Sequence, residues 1–145
     1  MLTLDSKQLD VPSLMRRQVA EIANSTSFTI DRGELKQRIL AAIADEYSRK
    51  ILHATIEAPM SASELTKRYE IPVTTVYRRI EELIEAGLIV SVKSGRTKEG
   101  KWFDLYRSLI KRIDMHFEGD LQVELTINEE VAYKFWRIQG AIQKE

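Results

Sequence analysis

Side chains that can donate hydrogen bonds to an external partner are concentrated in the stretch YEIPVTTVYRRI, residues 69–80. When the apolar residues of this stretch are placed on the buried side of a helix, Thr74 and Arg78 fall on the opposite side, flanked by Thr75 and Tyr77. Arginine can donate two hydrogen bonds to the major-groove edge of guanine, and hydroxyl groups reach bases or phosphates. The pattern therefore predicts that the outer face of a helix contacts duplex DNA.

The order of charges in and after this stretch runs against the helix macrodipole. Arg78 and Arg79 precede Glu81, Glu82 and Glu85, although a helix N-terminus favours negative side chains and a C-terminus positive ones. A partner that meets the arginines and not the glutamates explains this order. The alternative is an Arg78–Glu82 pair on a solvated face, worth about 0.3 kcal/mol. Arg79 lies nearer the apolar stripe, which predicts either a phosphate contact or a packed stem.

Further cations lie at the end of the preceding helix and in or beside a polar loop, where Glu99 is the one acid among them. Such cations can neutralise backbone phosphates around a reading helix, although charged loops are common on any protein surface. The predicted DNA-binding residues are Thr74, Thr75, Tyr77, Arg78, Arg79, Lys67, Arg68, Lys93, Arg96, Lys98 and Lys101.

Catalysis and metal binding find little support among the residue types. The chain has no cysteine, which excludes disulfides, thiolate metal sites and cysteine nucleophiles and favours a reducing compartment. It lacks a glycine-rich phosphate loop, and His53 is expected to pack or to face solvent. Asp114, His116 and Glu118 share one strand face as a candidate ligand trio, but a polar face turned to water explains them better. We expect no enzyme activity, no cofactor and no metal site.

Composition indicates an ordered, helix-rich protein in the cytoplasm. Among 145 residues, 43% are hydrophobic and 30% charged, with 6 Gly and 3 Pro. No segment has the apolar length of a membrane span or the pattern of a signal peptide. The formal net charge is zero, so affinity for DNA has to come from a local basic patch.

Capping signals divide the first half of the chain into helices. A loose leader precedes a helix predicted over residues 11–24. Asp31, followed three residues later by Glu34, predicts the start of a second helix, and Asp45 predicts the start of a third that stops before Pro59.

The next segments form a helix-turn-helix followed by a hairpin. Ser61 and Glu64 are spaced as a capping box, which predicts a short helix ending near residue 69. Alternating residues around the polar loop SGRTKEGK, residues 94–101, predict a hairpin. Between them, a helix over residues 72–86 ends at Gly87 and buries one face formed by Val73, Val76, Ile80, Leu83 and Ile84.

A second hairpin and a last helix are predicted at the C-terminus. Strands alternate in polarity over residues 113–118 and 121–127 around a Gly119–Asp120 turn, and Asn128 is placed to cap a helix. The predicted class is mainly α with β-hairpins (α+β), a winged helix-turn-helix with an N-terminal helix and a C-terminal β-hairpin plus helix. The predicted domains are residues 1–31, 32–107 and 108–145.

The two terminal helices carry apolar stripes that either complete a core or meet a second subunit. A short hairpin and one helix can hardly bury such a stripe alone, which favours a homodimer. The predicted dimerisation residues are Leu14, Val19, Ile22, Val131, Phe135, Trp136, Ile138 and Ile142.

The segments AIADEYSRKIL, residues 42–52, and SASELTKRYEIPVTTVYRRIEELIEAGLI, residues 61–89, resemble the ArsR-like winged helix-turn-helix transcriptional regulators of prokaryotes. The resemblance covers residues 34–107. It implies terminal helices that dimerise, and it places Thr74, Thr75, Tyr77 and Arg78 on the recognition helix and Arg96 and Lys98 on the wing. Metal-sensing members use cysteine or clustered histidine, which this chain lacks.

The sequence therefore predicts a homodimeric, sequence-specific DNA-binding transcriptional regulator. The helix over residues 72–86 is expected in the major groove, and the basic wing over residues 93–101 on the backbone or in the minor groove. The alternative is a winged helix that binds other proteins in transcription or replication machinery. A small-molecule effector of unknown identity is compatible with the first interpretation.

Overall fold

The structure is a computed structural model that describes residues 27–132. Within this part of the chain, the helices are α1 (Gly33–Ala44), α2 (Glu46–Glu57), α3 (Ala62–Tyr69) and α4 (Val73–Glu85). The strands are β1 (Ser27–Ile30), β2 (Met60–Ser61), β3 (Ile89–Arg96), β4 (Trp102–Ser108), β5 (Ile110–Glu118) and β6 (Asp120–Ile127). Helical residues resume at 129 and reach the last described residue, 132. The predicted helix over residues 11–24 lies outside the described residues.

The strands form two antiparallel three-stranded sheets, ordered β2-β4-β3 and β1-β6-β5. In the second sheet, alternate residues of β1 and β6 are buried, as a strand with one buried face requires, whereas Ile110 is the one buried residue of β5. One contiguous cluster of buried side chains joins both sheets to all four helices, for example Phe28, Leu35, Ile51, Leu65 and Leu83. The predicted boundary near residue 107 therefore does not separate two cores.

Two of the predicted helix starts are confirmed at the atomic level. The Asp45 carboxylate accepts a hydrogen bond of 2.8 Å from the backbone N–H of Ser48 at the start of α2. Ser61 and Glu64 form the reciprocal capping box of α3. The predicted cap by Asp31 is wrong, because the residue that precedes α1 is Arg32 and its side chain makes no capping hydrogen bond.

Strand β1 was not predicted from the sequence. It pairs with β6 in a register that sets Phe28 opposite Leu125 and Ile30 opposite Val123. The predicted boundary at residue 31 consequently separates a strand from the sheet to which it belongs.

Hydrogen bonds and an ion pair connect the last described residues to the end of α2. The amide nitrogen of Asn128 donates to the carbonyls of Ile56, at 3.2 Å, and of Ser108, at 3.1 Å. Arg107 is buried; its guanidinium donates to the carbonyl of Ile56 and forms a 3.3 Å ion pair with Glu130. These bonds satisfy carbonyl groups that the end of a helix leaves without partners.

Candidate nucleic-acid interface

The turn between α3 and α4 is short and tightly specified. The capping box uses two hydrogen bonds, 3.0 Å from Ser61 N–H to the Glu64 carboxylate and 3.1 Å from Glu64 N–H to the Ser61 hydroxyl. Glu70 ends α3 in the left-handed region, with φ 54°. Ile71 is buried, and the carbonyl of Pro72 accepts the N–H of Val76, which starts α4. The outer face of α4 is thereby fixed relative to α3.

The outer face of α4 presents the predicted reading residues. Thr74, Tyr77 and Arg78 are exposed, and Thr75 is half-buried. Val73 was predicted on the buried face, but 57% of its surface is exposed, because the helix begins at this residue and the core begins one turn later at Val76. An exposed apolar residue beside these polar groups can contact a thymine methyl group.

Arg79 is bound by two carboxylates of the same chain. Its Nε lies 2.9 Å from the Asp45 carboxylate, and its Nη1 lies 2.9 Å from that of Glu82. Burial alone would raise the pKa of Asp45, but hydrogen bonds from Arg79 and Ser48 outweigh burial and hold the pKa below its ordinary value. Of the two roles predicted for Arg79, the contacts favour the packed stem over the phosphate contact.

The late glutamates of α4 also bind cations of the chain. Glu82 pairs with Arg79, and Glu85 lies 3.3 Å from Arg38 on α1. The alternative pair of Arg78 with Glu82 does not form, because Glu82 binds Arg79. Within residues 27–132, Arg78 has no carboxylate partner. The charge order of α4 therefore has a structural cause for two of its glutamates, while Arg78 is left to face solvent.

The wing is the β3–β4 hairpin, and its turn is tighter than predicted. Cross-strand pairing continues to Arg96 opposite Trp102, so the turn comprises residues 97–101 instead of 94–101. Gly100, with φ 84°, closes it, and the Thr97 hydroxyl accepts the N–H of Lys101 at 3.1 Å. A Cβ at Gly95 would lie 2.7 Å from the Phe103 ring, so a larger residue at this position requires the ring to move.

Most basic residues of the predicted interface have no carboxylate partner in the described part of the chain, unlike most other basic residues. Among the described residues, seven of the eight predicted basic contacts make no ion pair, namely Lys67, Arg68, Arg78, Lys93, Arg96, Lys98 and Lys101. We call these seven the basic surface. Most of the remaining cations of residues 27–132 are paired: Arg32, Lys36, Arg38, Lys50, Arg79, Arg107 and Arg112. Cations without internal partners remain available for phosphate.

Tyr106 connects α4 to the wing. Burial, with the nearby Asp104 carboxylate and the Tyr77 hydroxyl, raises the pKa of Tyr106. Asp104 shares a face of β4 with Tyr106, Tyr77 of α4 is near enough to act on Tyr106 electrostatically, and the turn of the wing begins about 13 Å beyond Tyr106 along β4. Asp104 is an acid on this side of the wing and accepts a 2.6 Å hydrogen bond from the Ser94 hydroxyl.

Other candidate sites are less developed. No group of three His, Asp or Glu residues between residues 27 and 132 can hold a metal ion, and Asp114 of the predicted trio pairs instead with Arg112 at 2.9 Å. Between α2 and β5 lies an open groove of about 490 Å³, lined by residues that include Leu52 and Lys111. No helix in the described part of the chain is long and apolar enough to cross a membrane.

Of the predicted dimerisation residues, only Val131 belongs to the described chain. It is 3% exposed and packs in the core of a single chain, so it has no free surface to offer a partner. The other predicted dimerisation residues lie outside the described residues, namely Leu14, Val19, Ile22, Phe135, Trp136, Ile138 and Ile142.

Comparison with a family model identifies the central unit. Residues 43–92 match the model described as a helix-turn-helix domain. This segment contains α3 and α4 and is similar to the helix-turn-helix domains of that family. The predicted resemblance to ArsR-like winged helix-turn-helix regulators is confirmed by this match, and the predicted α+β class by the strands and helices around the domain. In DNA-binding helix-turn-helix domains the second helix is the recognition helix, and α4 is the second helix of the matched segment.

Two solved structures are similar to this chain. One is an ArsR family transcriptional regulator, 19% identical, with a TM-score of 0.38 over 78% of this chain and 93% of that one. The other is NolR from Sinorhizobium fredii, 13% identical, with a TM-score of 0.35 over 99% of this chain and 95% of that one. No curated protein matches the chain significantly.

Two exposed apolar residues beside the predicted contacts, Val73 and Trp102, were not among the predicted DNA-binding residues. Of the two, only Trp102 has a position in the sequence that indicates such a role, because it directly follows the polar loop.

Proposed function

We propose that the chain is a sequence-specific DNA-binding transcriptional regulator that acts as a homodimer in the cytoplasm of a prokaryote. The observation that carries the proposal is the separation of cations: those around α4 and on the wing lack internal partners, whereas most others are paired. A surface that keeps its cations unpaired is suited to a polyanion, even though the chain as a whole has no net charge.

The residues of the interface divide into base readers and backbone contacts. Arg78 is exposed on the outer face of α4 and is the proposed reader of guanine, with Thr74 and Tyr77 beside it. Lys67 and Arg68, at the end of α3, are proposed to bind the phosphates that flank the major groove. The exposed cations of the wing are proposed to bind backbone or minor groove: Lys93, Arg96, Lys98 and Lys101.

Arg79 is proposed to position α4 without touching DNA. Its guanidinium is occupied by Asp45 on one side and Glu82 on the other. A phosphate contact would require one of these charge-assisted hydrogen bonds to break. This assignment replaces the phosphate contact that the sequence allowed.

The homodimer is proposed from the apolar stripes of the terminal segments and from the geometry of DNA. A two-fold dimer presents two copies of α4 to half-sites about 34 Å apart, one helical turn of DNA. Analytical ultracentrifugation of the full chain, alone and with a palindromic fragment, tests it. Two chains per fragment support the dimer, and one chain per fragment at saturation contradicts it.

Gel-shift titration on fragments of the source genome, at two salt concentrations, tests the proposed function. Binding that selects some fragments over others and weakens with salt supports the regulator. Absence of fragment-selective binding below micromolar protein contradicts it. A protein-interaction module, favoured by the zero net charge, then becomes the better interpretation.

A further inference from the structure

Trp102 is the most exposed aromatic residue of the wing, with 69% of its surface in solvent. It lies at the start of β4, directly after the turn of the wing. The guanidinium of Arg96 covers its ring, 4.8 Å from the ring centroid. Arg96 and Trp102 are also direct cross-strand partners, so the backbone of the hairpin brings the two side chains together.

The stacked pair lies on the side of the wing that adjoins α4. Successive side chains in a strand alternate between faces, so Trp102 shares a face with Asp104 and Tyr106. Tyr106 is buried in the same core cluster as Val76 of α4, and Tyr77 on that helix is close enough to contribute to the raised pKa of Tyr106. Trp102 and Arg96 therefore lie further along the strand face that begins, at Tyr106, near α4.

Stacking leaves Arg96 able to bind a second partner. A guanidinium packed on an aromatic face keeps its N–H groups, which lie in its plane, free to donate at its edge. The ring also restricts the long arginine side chain, so less conformational freedom is lost when its hydrogen bonds form. Within residues 27–132, no carboxylate pairs with Arg96.

We propose that Arg96 and Trp102 enter the minor groove beside the half-site as one stacked unit, in which Arg96 contacts the bases and Trp102 is the positioning residue. The proposal rests on the proposed function and adds a preference for A·T pairs at the flank. Narrow A·T-rich minor grooves carry an enhanced negative potential that attracts arginine. The indole edge packs against the sugars that form the groove wall.

Binding of four variants to a selected fragment tests the unit: Trp102→Phe, Trp102→Leu, Arg96→Ala and the double variant Trp102→Leu/Arg96→Ala. Each is titrated on fragments whose flank is A·T or G·C. Leucine keeps an apolar side chain but removes the aromatic face, whereas phenylalanine keeps that face. Phe117→Leu is the matched control, because Phe117 is 85% exposed on β5, outside the wing.

Trp102→Leu is expected to lose about two- to thirtyfold in affinity for the A·T-flanked fragment, the range of a cation–π contact, and most of the preference for A·T. Trp102→Phe and Phe117→Leu are expected to bind as the unchanged protein does. In the double variant, the loss is expected to be smaller than the product of the single losses, because the residues act together. Independent losses, or equal losses on both flanks, overturn the proposal.

Fluorescence supplies a readout that does not depend on affinity. The chain has two tryptophans, so the emission of Trp102 is obtained as the difference between the unchanged protein and Trp102→Phe. Saturation with the selected fragment is expected to change its emission. Unchanged emission on DNA that is demonstrably bound places Trp102 outside the interface and overturns this proposal while leaving the regulator intact. Failure of the unchanged protein to bind any fragment selectively overturns both.

Discussion

The carboxylate of Asp45 and the guanidinium of Arg79 lie 2.9 Å apart, and this contact joins the start of α2 to α4. The same carboxylate accepts the N–H of Ser48 and so caps α2. One side chain therefore stabilises a helix end and sets the position of α4 against its neighbour. Both side chains are partly buried, with 27% of Asp45 and 21% of Arg79 exposed, so solvent screens the pair less than a surface ion pair.

Arg79→Ala is expected to lower the free energy of unfolding by about 1 to 3 kcal/mol, because it removes charge-assisted hydrogen bonds and leaves a partly buried carboxylate without its partner. The salt dependence of DNA binding is expected to stay unchanged, since Arg79 is not placed on phosphate. Urea unfolding and anisotropy titration at several salt concentrations measure the two effects. If the slope of log affinity against log salt concentration falls by about 0.9 in Arg79→Ala, the prediction is wrong and Arg79 contacts phosphate.

Asp45→Asn is expected to destabilise the protein by about 1 kcal/mol near neutral pH, with a smaller effect in acid. The pKa of Asp45 is lowered in the folded state, so the stability it contributes is present above its unfolded pKa of about 4 and disappears as pH falls through the lower folded value. Because asparagine also caps a helix well, the substitution keeps the cap of α2 and removes only the charge. Urea unfolding between about pH 3 and 7 checks this, and a difference that does not vary with pH contradicts it.

Glu70→Gly is expected to stabilise the protein by up to about 1 kcal/mol. Glu70 adopts φ 54°, a left-handed conformation that costs a residue with a Cβ and suits glycine. Glu81→Gly, in the right-handed interior of α4, is the matched control and is expected to destabilise by about 1 kcal/mol. Thermal unfolding of both variants shows whether the signs are opposite, and two destabilised variants contradict the conformational reason.

Lys98→Ala is expected to weaken binding to all DNA sequences and to reduce the salt slope by about 0.9, as loss of one phosphate contact does. Lys111→Ala is the control, because Lys111 is also exposed and has no ion pair within residues 27–132, yet lines the groove between α2 and β5. Equal changes in the two variants would mean that only overall charge matters and that the wing has no specific role.

Features that depend on neighbouring residues could be predicted from the sequence. The capping box of Ser61 and Glu64 spans three residues, and the cap at Asp45 depends on Ser48, so local spacing carries both. Strand β1 depends on partners almost a hundred residues away, such as Leu125 opposite Phe28, and its four residues contain no periodic signal long enough to identify it.

In the candidate site, too, features set by neighbouring residues could be predicted and features set by distant residues could not. Exposure of Arg78 follows from helical periodicity, because the apolar stripe of α4 leaves one opposite side. The occupation of Arg79 by Asp45 does not follow from the sequence, because 34 residues separate them and only the packing of α2 on α4 brings them together. The stacking of Arg96 on Trp102 requires the register of the wing, which the predicted eight-residue loop did not contain.

Base reading by Arg78 is tested most directly by the affinity of Arg78→Ala for a selected genomic fragment and for random duplex DNA at one salt concentration. Loss of bidentate contacts to guanine is expected to cost about 1 to 3 kcal/mol on the selected fragment and far less on random DNA, so that the preference between them falls about five- to hundredfold. Equal losses on the two DNAs would contradict base reading by α4 and leave Arg78 as a backbone contact.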